Sequence, residues 1–166
     1  MEHDYFGWVD VDDDGHLFWS DEVEIADALV AVSMTAEVAA SVDPVVLDLA
    51  AVVLASLEEL DRRARESMVA ELSKDTTATV AYVDDVLNRM GPALADNLLD
   101  ISGDIAIDII RSLSLLSVDL RLDRIDEFQA FALFRYALDP DEDQTVLAVT
   151  LDANGNPNGV APAPLA

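Results

Sequence analysis

Residues 127–160, EFQAFALFRYALDPDEDQTVLAVTLDANGNPNGV, constrain the fold more than any other stretch of the chain. In the first half, Phe128, Ala130, Ala132, Phe134 and Tyr136 share one face of an extended run, with Phe131, Leu133 and Ala137 on the other. In the second half, Val146 and Ala148 oppose Leu147, Val149 and Leu151. Strands that are apolar on both faces belong inside a sheet that is covered on each side. An acidic turn joins the two runs. After the second run, Asn154-Gly155 signals a tight turn into a short last strand.

The rest of the chain is read around that pair. Tyr5–Val11 is predicted as a first strand, residues 10–15 as an acidic turn, and His16–Trp19 as the returning strand. Glu22–Ser33 opens with strand alternation and is assigned as one further strand. Asp43-Pro44 starts a helix, with a capping carboxylate followed by Pro at the first helical position. That helix is predicted to run to about Ser73, burying Val46, Leu49, Val53, Leu57, Leu60, Ala64 and Met68. Its second half offers Glu58–Arg62, Glu59–Arg63 and Asp61–Arg65 as exposed pairs one turn apart.

A second helix, from Asp75 or Thr76 to Met90, buries Val80, Val83, Leu87 and Met90 before Gly91-Pro92 stops it. A short third helix covers Ala93–Ile101, and Asp104–Leu113 is a short helix leading into a strand at Leu115–Arg121. The expected architecture is α+β. A mostly antiparallel sheet of about five to six strands carries a helical hairpin, inserted mid-chain and packed on one face. Residues 1–160 form one domain and residues 161–166 a frayed tail.

Thirty-four acidic residues against nine basic ones give a formal charge of −25. Such a surface repels nucleic acid and anionic membranes and attracts basic partners at low salt. Two readings compete: acids spread for solubility or high-salt adaptation, or a docking surface for a basic protein. No block of like charge marks a tail. With 52% hydrophobic residues the chain can bury a core, and without cysteine it has no disulfide, thiolate site or cysteine nucleophile. No run is long and apolar enough to span a bilayer and no secretory leader is visible, so a cytoplasmic location is expected.

One motif carries possible metal chemistry. Asp10, Asp12 and Asp14, then Gly15, satisfy the opening of a calcium loop, and Asp21 stands at its twelfth position. Asp21 is shorter than the usual glutamate, Phe18 at position nine cannot ligate, and no helix pattern enters the loop. The competing reading is a β-hairpin whose Asp and Gly residues serve the turn. For catalysis, His3 and His16 have no serine or spaced acid to complete a triad. Phosphate-cradling and zinc motifs are also missing, so no enzyme is expected.

The Leu57–Arg65 stretch, LEELDRRAR, resembles the Leu-x-x-Leu-Asp-x-x-Ala-Arg pattern of an uncharacterised bacterial family, the domain of unknown function two thousand and four. The runs at 128–136 and 145–151 and the Asp152–Gly155 turn resemble that family's closing strands, and the similarity extends loosely over residues 15–160. Tyr136-Ala-Leu-Asp139 stands where the family has an aromatic residue directly before aspartate. The resemblance implies an α+β architecture and supplies no catalytic residue. The expected function is non-catalytic binding of a basic protein, of an immunity or regulatory kind. The alternatives are a calcium-binding module on Asp10, Asp12, Asp14 and Asp21, and a hydrolase whose acid dyad is not located.

Overall fold

The computed structural model describes residues 1–99, 101–123, 131–143 and 145–164. The fold is α+β: among the described residues, four helices lie against a mostly antiparallel sheet of seven strands, one or two more than the sequence indicates. Strands β3 (Asp10–Val11), β4 (Leu17–Ile25), β5 (Ala28–Ala36), β6 (Ser114–Arg121), β7 (Ala132–Ala137), β8 (Thr145–Leu151) and β9 (Pro157–Pro164) are neighbours in chain order. Only β5 and β6 run parallel, and all four helices occupy the crossover between them. A separate two-stranded ribbon, β1 (Glu2–His3) with β2 (Gly7–Trp8), precedes the sheet.

Several sequence expectations are corrected. The Tyr5–Val11 strand is broken into β2 and β3, because Val9 exchanges both main-chain hydrogen bonds with Met1 (2.8 and 3.0 Å). The single strand expected over Glu22–Ser33 folds back at Ala26-Asp27, where both residues adopt positive φ (48° and 67°). This is the geometry of a two-residue hairpin turn, built without the Asn-Gly signal that usually announces it. Residues 161–164 are not frayed: the whole segment to Pro164 pairs with β8. The predicted start of the first apolar run, including Phe128 and Ala130, lies outside the described residues, and β7 begins at Ala132.

The long helix is two helices, α1 (Pro44–Ala55) and α2 (Leu57–Glu71), separated at Ser56 (φ −110°, ψ 14°). One straight helix over that span would be about 40 Å long, while six strand spacings amount to about 29 Å. The break keeps both halves on the sheet. Asp43 caps α1 as expected, accepting from Val45 N–H at 2.9 Å. Helix α3 (Ala78–Met90) is turned slightly from the predicted face, burying Thr79, Tyr82, Val83 and Val86, with Val80, Leu87 and Met90 half-buried. The expected third helix is a 3₁₀ segment, Gly91–Asn97, and α4 (Ile105–Ser112) leads into β6 as predicted.

One contiguous core joins the layers. Val32, Met34, Val118, Leu120, Phe134, Tyr136, Leu147 and Val149 from the sheet meet Leu47, Ala50, Leu60, Ala64 and Met68 from the helices. On the opposite face of the sheet Ala137, Val146 and Ala148 are also buried, outside that cluster. The two-sided apolar pattern of β7 and β8 is therefore real, although these strands lie toward one side of the sheet.

The first two turns of α2 are anchored to the sheet. Asp61 accepts from the Tyr136 hydroxyl at 2.7 Å and pairs with Arg65 at 3.1 Å. The Arg65 guanidinium lies 5.0 Å from the Tyr136 ring centroid and donates to Leu113 O at 2.6 Å and Ile110 O at 3.3 Å. It thereby satisfies carbonyls left open at the end of α4. The sequence pattern read Asp61–Arg65 as an exposed pair, and it is a half-buried junction of three elements. Arg62 pairs with Glu59 and Glu66 rather than Glu58.

Candidate functional site

The four carboxylates of the candidate calcium loop are divided by the sheet. Asp10 lies opposite Phe18 and Val11 opposite Leu17, so residues 12–16 form the turn of a β3–β4 hairpin. Asp21 lies opposite Val32, well inside β4. Phe18 and Asp21 are three residues apart on one strand and project to opposite faces. Asp10 and Asp21 consequently stand on opposite sides of the sheet, with Asp21 about 13 Å along β4 from Leu17 at its start. Asp12 and Asp14 are brought together with His16, their ligand atoms within 4.8 Å of one another, and all three are exposed. The Asp12 carboxylate already accepts from Asp14 N–H (3.0 Å) and His16 N–H (2.8 Å), and meets the His16 ring at 3.0 Å.

Those contacts set the electrostatics of the turn. The His16 main-chain N–H and then its ring hold the Asp12 carboxyl below its ordinary range. Reciprocally, the hydrogen bond that the His16 ring donates to Asp12, aided by the Asp12 charge, raises the His16 imidazole above 6.5. His3 makes a similar pair with Asp48 of α1 at 3.1 Å. Among the described residues neither histidine has a hydroxyl within hydrogen-bond distance.

A buried carboxylate absent from the sequence expectations is Asp143, whose side chain is 1% exposed. It accepts from the Tyr82 hydroxyl at 2.8 Å and Asp139 N–H at 3.3 Å, and pairs with Arg89. The Tyr82 oxygen also accepts from Leu138 N–H at 2.9 Å. Burial raises the Tyr82 phenol, so it remains a neutral donor. These groups border a groove of about 480 Å³ between α3 and the strands β8 and β9. Both Asp143 oxygens are engaged in tying the β7–β8 loop to α3. The sequence holds no signal for this role, since Asp143 sits in a run of acids that reads as a solvated turn.

Charge is distributed unevenly over the structure. Residues 1–61 contain sixteen acids and no Lys or Arg, and so carry nearly two-thirds of the formal net charge. They build β1–β5 and α1, with β3–β5 at one end of the sheet, and the start of α2, which lies against β7–β9. On the other part of the chain, Arg62, Arg63, Arg65, Arg89 and Arg135 are each ion-paired internally. Along β4 and its turn, Asp21, Glu22, Glu24 and Asp27 are all exposed. No helix of the described residues is long and apolar enough to cross a membrane. No family model, curated protein or solved structure matches the chain.

Proposed function

We propose that the chain is a non-catalytic binding protein for a basic protein partner, docking through the β3–β5 end of the sheet. One observation carries this reading: residues 1–61 lack any Lys or Arg, and the acids of β3–β5 and their turns, from Asp10 to Asp27, sit on that end. Acids placed only for solubility need no such separation from the bases. Complementary potential of this kind steers encounter and discriminates against acidic competitors.

The test compares two neutralised variants of equal charge against a folded cationic protein. The first carries Asn or Gln at Asp21, Glu22, Glu24 and Asp27, and the second at Glu58, Glu66, Asp84 and Asp85. The association rate of the parent is expected to fall steeply between low and moderate salt, and only the first variant should lose that dependence. A rate indifferent to salt, or equal losses in both variants, would return the charge to general solvation.

Calcium at the 10–21 turn remains the second reading, supported by the proximity of Asp12 and Asp14. Its ligand set is then narrower than Asp10, Asp12, Asp14 and Asp21. The nearby His16 also favours a softer divalent ion over calcium.

A further inference from the structure

The two edges of the main sheet are built in opposite ways. At one end, β9 contains Pro157, Pro162 and Pro164. Pro162 and Pro164 lie two residues apart, and both stay in register with β8, so their nitrogens face outward and remove donors from that edge. This is a recognised means of blocking strand addition. At the other end, β3 covers β4 only at Leu17 and Phe18. Among the described residues, the outer side of β4 has no neighbouring strand from Trp19 to Ile25, and that stretch contains no Pro or Gly. Its pairing with β5 is unbroken across nine residue pairs, so no bulge twists the edge away.

Two independent features identify which main-chain groups face outward. Asp12 N–H donates to His16 O at 3.0 Å, so even-numbered residues of β4 turn their main chain toward β3. At the far end, the two-residue turn Ala26-Asp27 is flanked by the pair Ile25 and Ala28, which assigns the odd-numbered residues to β5. Ser20, Glu22 and Glu24 therefore present their N–H and C=O groups off the sheet. The Glu22 N–H, instead of meeting a strand, donates to the side chain of Asp21 at 2.8 Å.

We infer that this edge is a docking strand, taking an extended Lys- or Arg-rich segment of the partner as an added strand opposite Ser20–Ile25. The inference rests on the proposed function and names its mode. Main-chain bonds to Ser20, Glu22 and Glu24 supply affinity, and alternate side chains supply selection. On the open face the incoming strand meets Phe18, Ser20, Glu22 and Glu24; on the helix-covered face it meets Asp21 beside Val23. Acids on both faces repel a second copy of this acidic edge and any acidic strand. They attract a cationic strand, whose aliphatic stems lie over Phe18. One acidic device thus prevents self-pairing and selects the partner.

The experiment uses the full chain and an eight-residue peptide of alternating Lys and Val. Its companion has the same sequence and charge but is N-methylated on the alternate amides that would face β4. Binding is followed at low salt by tryptophan emission in a Trp8→Phe background, which leaves Trp19 as the reporter, and by the amide resonances of residues 19–25. The unmethylated peptide is expected to bind at least about tenfold more tightly than its companion. It should protect the amides of Ser20, Glu22 and Glu24 and leave those of Trp19, Asp21 and Val23 as they were. Equal binding of both peptides, or protection without that alternation, overturns strand addition while leaving the electrostatic reading intact. If neither peptide binds and a folded cationic protein also fails to bind, both readings fall.

Discussion

The Tyr136 hydroxyl donates to Asp61 at 2.7 Å, joining the C-terminal end of β7 to the second half of the broken helix. Residues 75 positions apart in sequence are fixed by this contact, and Arg65 completes it by reaching the carbonyls at the end of α4. Tyr136 is fully buried, and burial holds its phenol well above the ordinary range, with the Asp61 charge adding to the effect. The hydroxyl is thus a donor at any pH at which the protein is handled.

Removing the parts of this junction should have graded effects. Tyr136→Phe deletes one hydrogen bond and is expected to lower stability by about 1 kcal/mol. Arg65→Met leaves the Asp61 carboxylate unpaired and the α4 carbonyls open, and the expected loss is about 2–3 kcal/mol. Urea unfolding of the two variants measures both. An Arg65→Met loss no greater than that of Tyr136→Phe would mean that the guanidinium contacts add nothing.

Two glycines separate backbone strain from crowding. Both Gly15 and Gly155 have positive φ (86° and 77°). A methyl group at Gly15 meets open space, whereas at Gly155 it would lie 2.6 Å from Cδ2 of the buried Leu60. Gly15→Ala should cost about 1 kcal/mol for the backbone alone. Gly155→Ala adds overpacking of about 1–3 kcal/mol. Thermal unfolding should therefore place Gly155→Ala well below Gly15→Ala, and coincident midpoints would contradict the close approach of this turn to α2.

The charged turn has a defined pH signature. Because the folded-state pKa of His16 is raised above 6.5, its contribution is fully present below that value. It fades as pH rises through the folded pKa. Imidazole resonances should report His16 titrating above 6.5, and Asp12→Asn should bring it back; an unchanged titration would remove the Asp12 contact as the cause. Glu59 behaves in the opposite sense. Hydrogen bonds from Arg62, then Arg63, depress it from 4.5 to about 2, so its contribution is present above 4.5 and lost as pH falls toward 2. Carboxyl carbon shifts across that window test the value.

The proline edge makes a prediction about solution state. Replacing Pro162 and Pro164 with Val restores two outward donors on an otherwise apolar, small-residue strand. The double variant should self-associate at concentrations where the parent sediments as a smaller species. Identical sedimentation would show that these prolines do not guard the edge.

Much of the architecture was legible because it follows from local periodicity and end signals. Asp43-Pro44 marks α1, Asn154-Gly155 marks the last hairpin, and the alternation at 132–137 and 145–151 marks β7 and β8. Local rules failed where a turn used unusual residues, as at Ala26-Asp27. They also failed where sheet dimensions divided a continuous helical pattern at Ser56. The site was less legible still. Spacing alone grouped Asp10 with Asp21, but strand alternation puts them on opposite faces. Asp143 was hidden because one buried acid cannot be told from its exposed neighbours until Tyr82 and Arg89 are seen to surround it.

The parallel seam between β5 and β6 sets an order of events in folding. Every antiparallel neighbour in the main sheet is adjacent in sequence, whereas Val32 meets Val118 across the entire helical insertion. The β3–β4–β5 hairpins and the β6–β9 meander can each close small loops, but the seam joining them must wait for the helices to collapse between them. Until then the inner side of β5 is a second bare edge. It is apolar at Val30, Val32 and Met34, and without the acids that guard β4 it is open to capture by another copy. The nascent chain is therefore most vulnerable to misassembly at a strand edge that the finished protein covers by pairing it with β6.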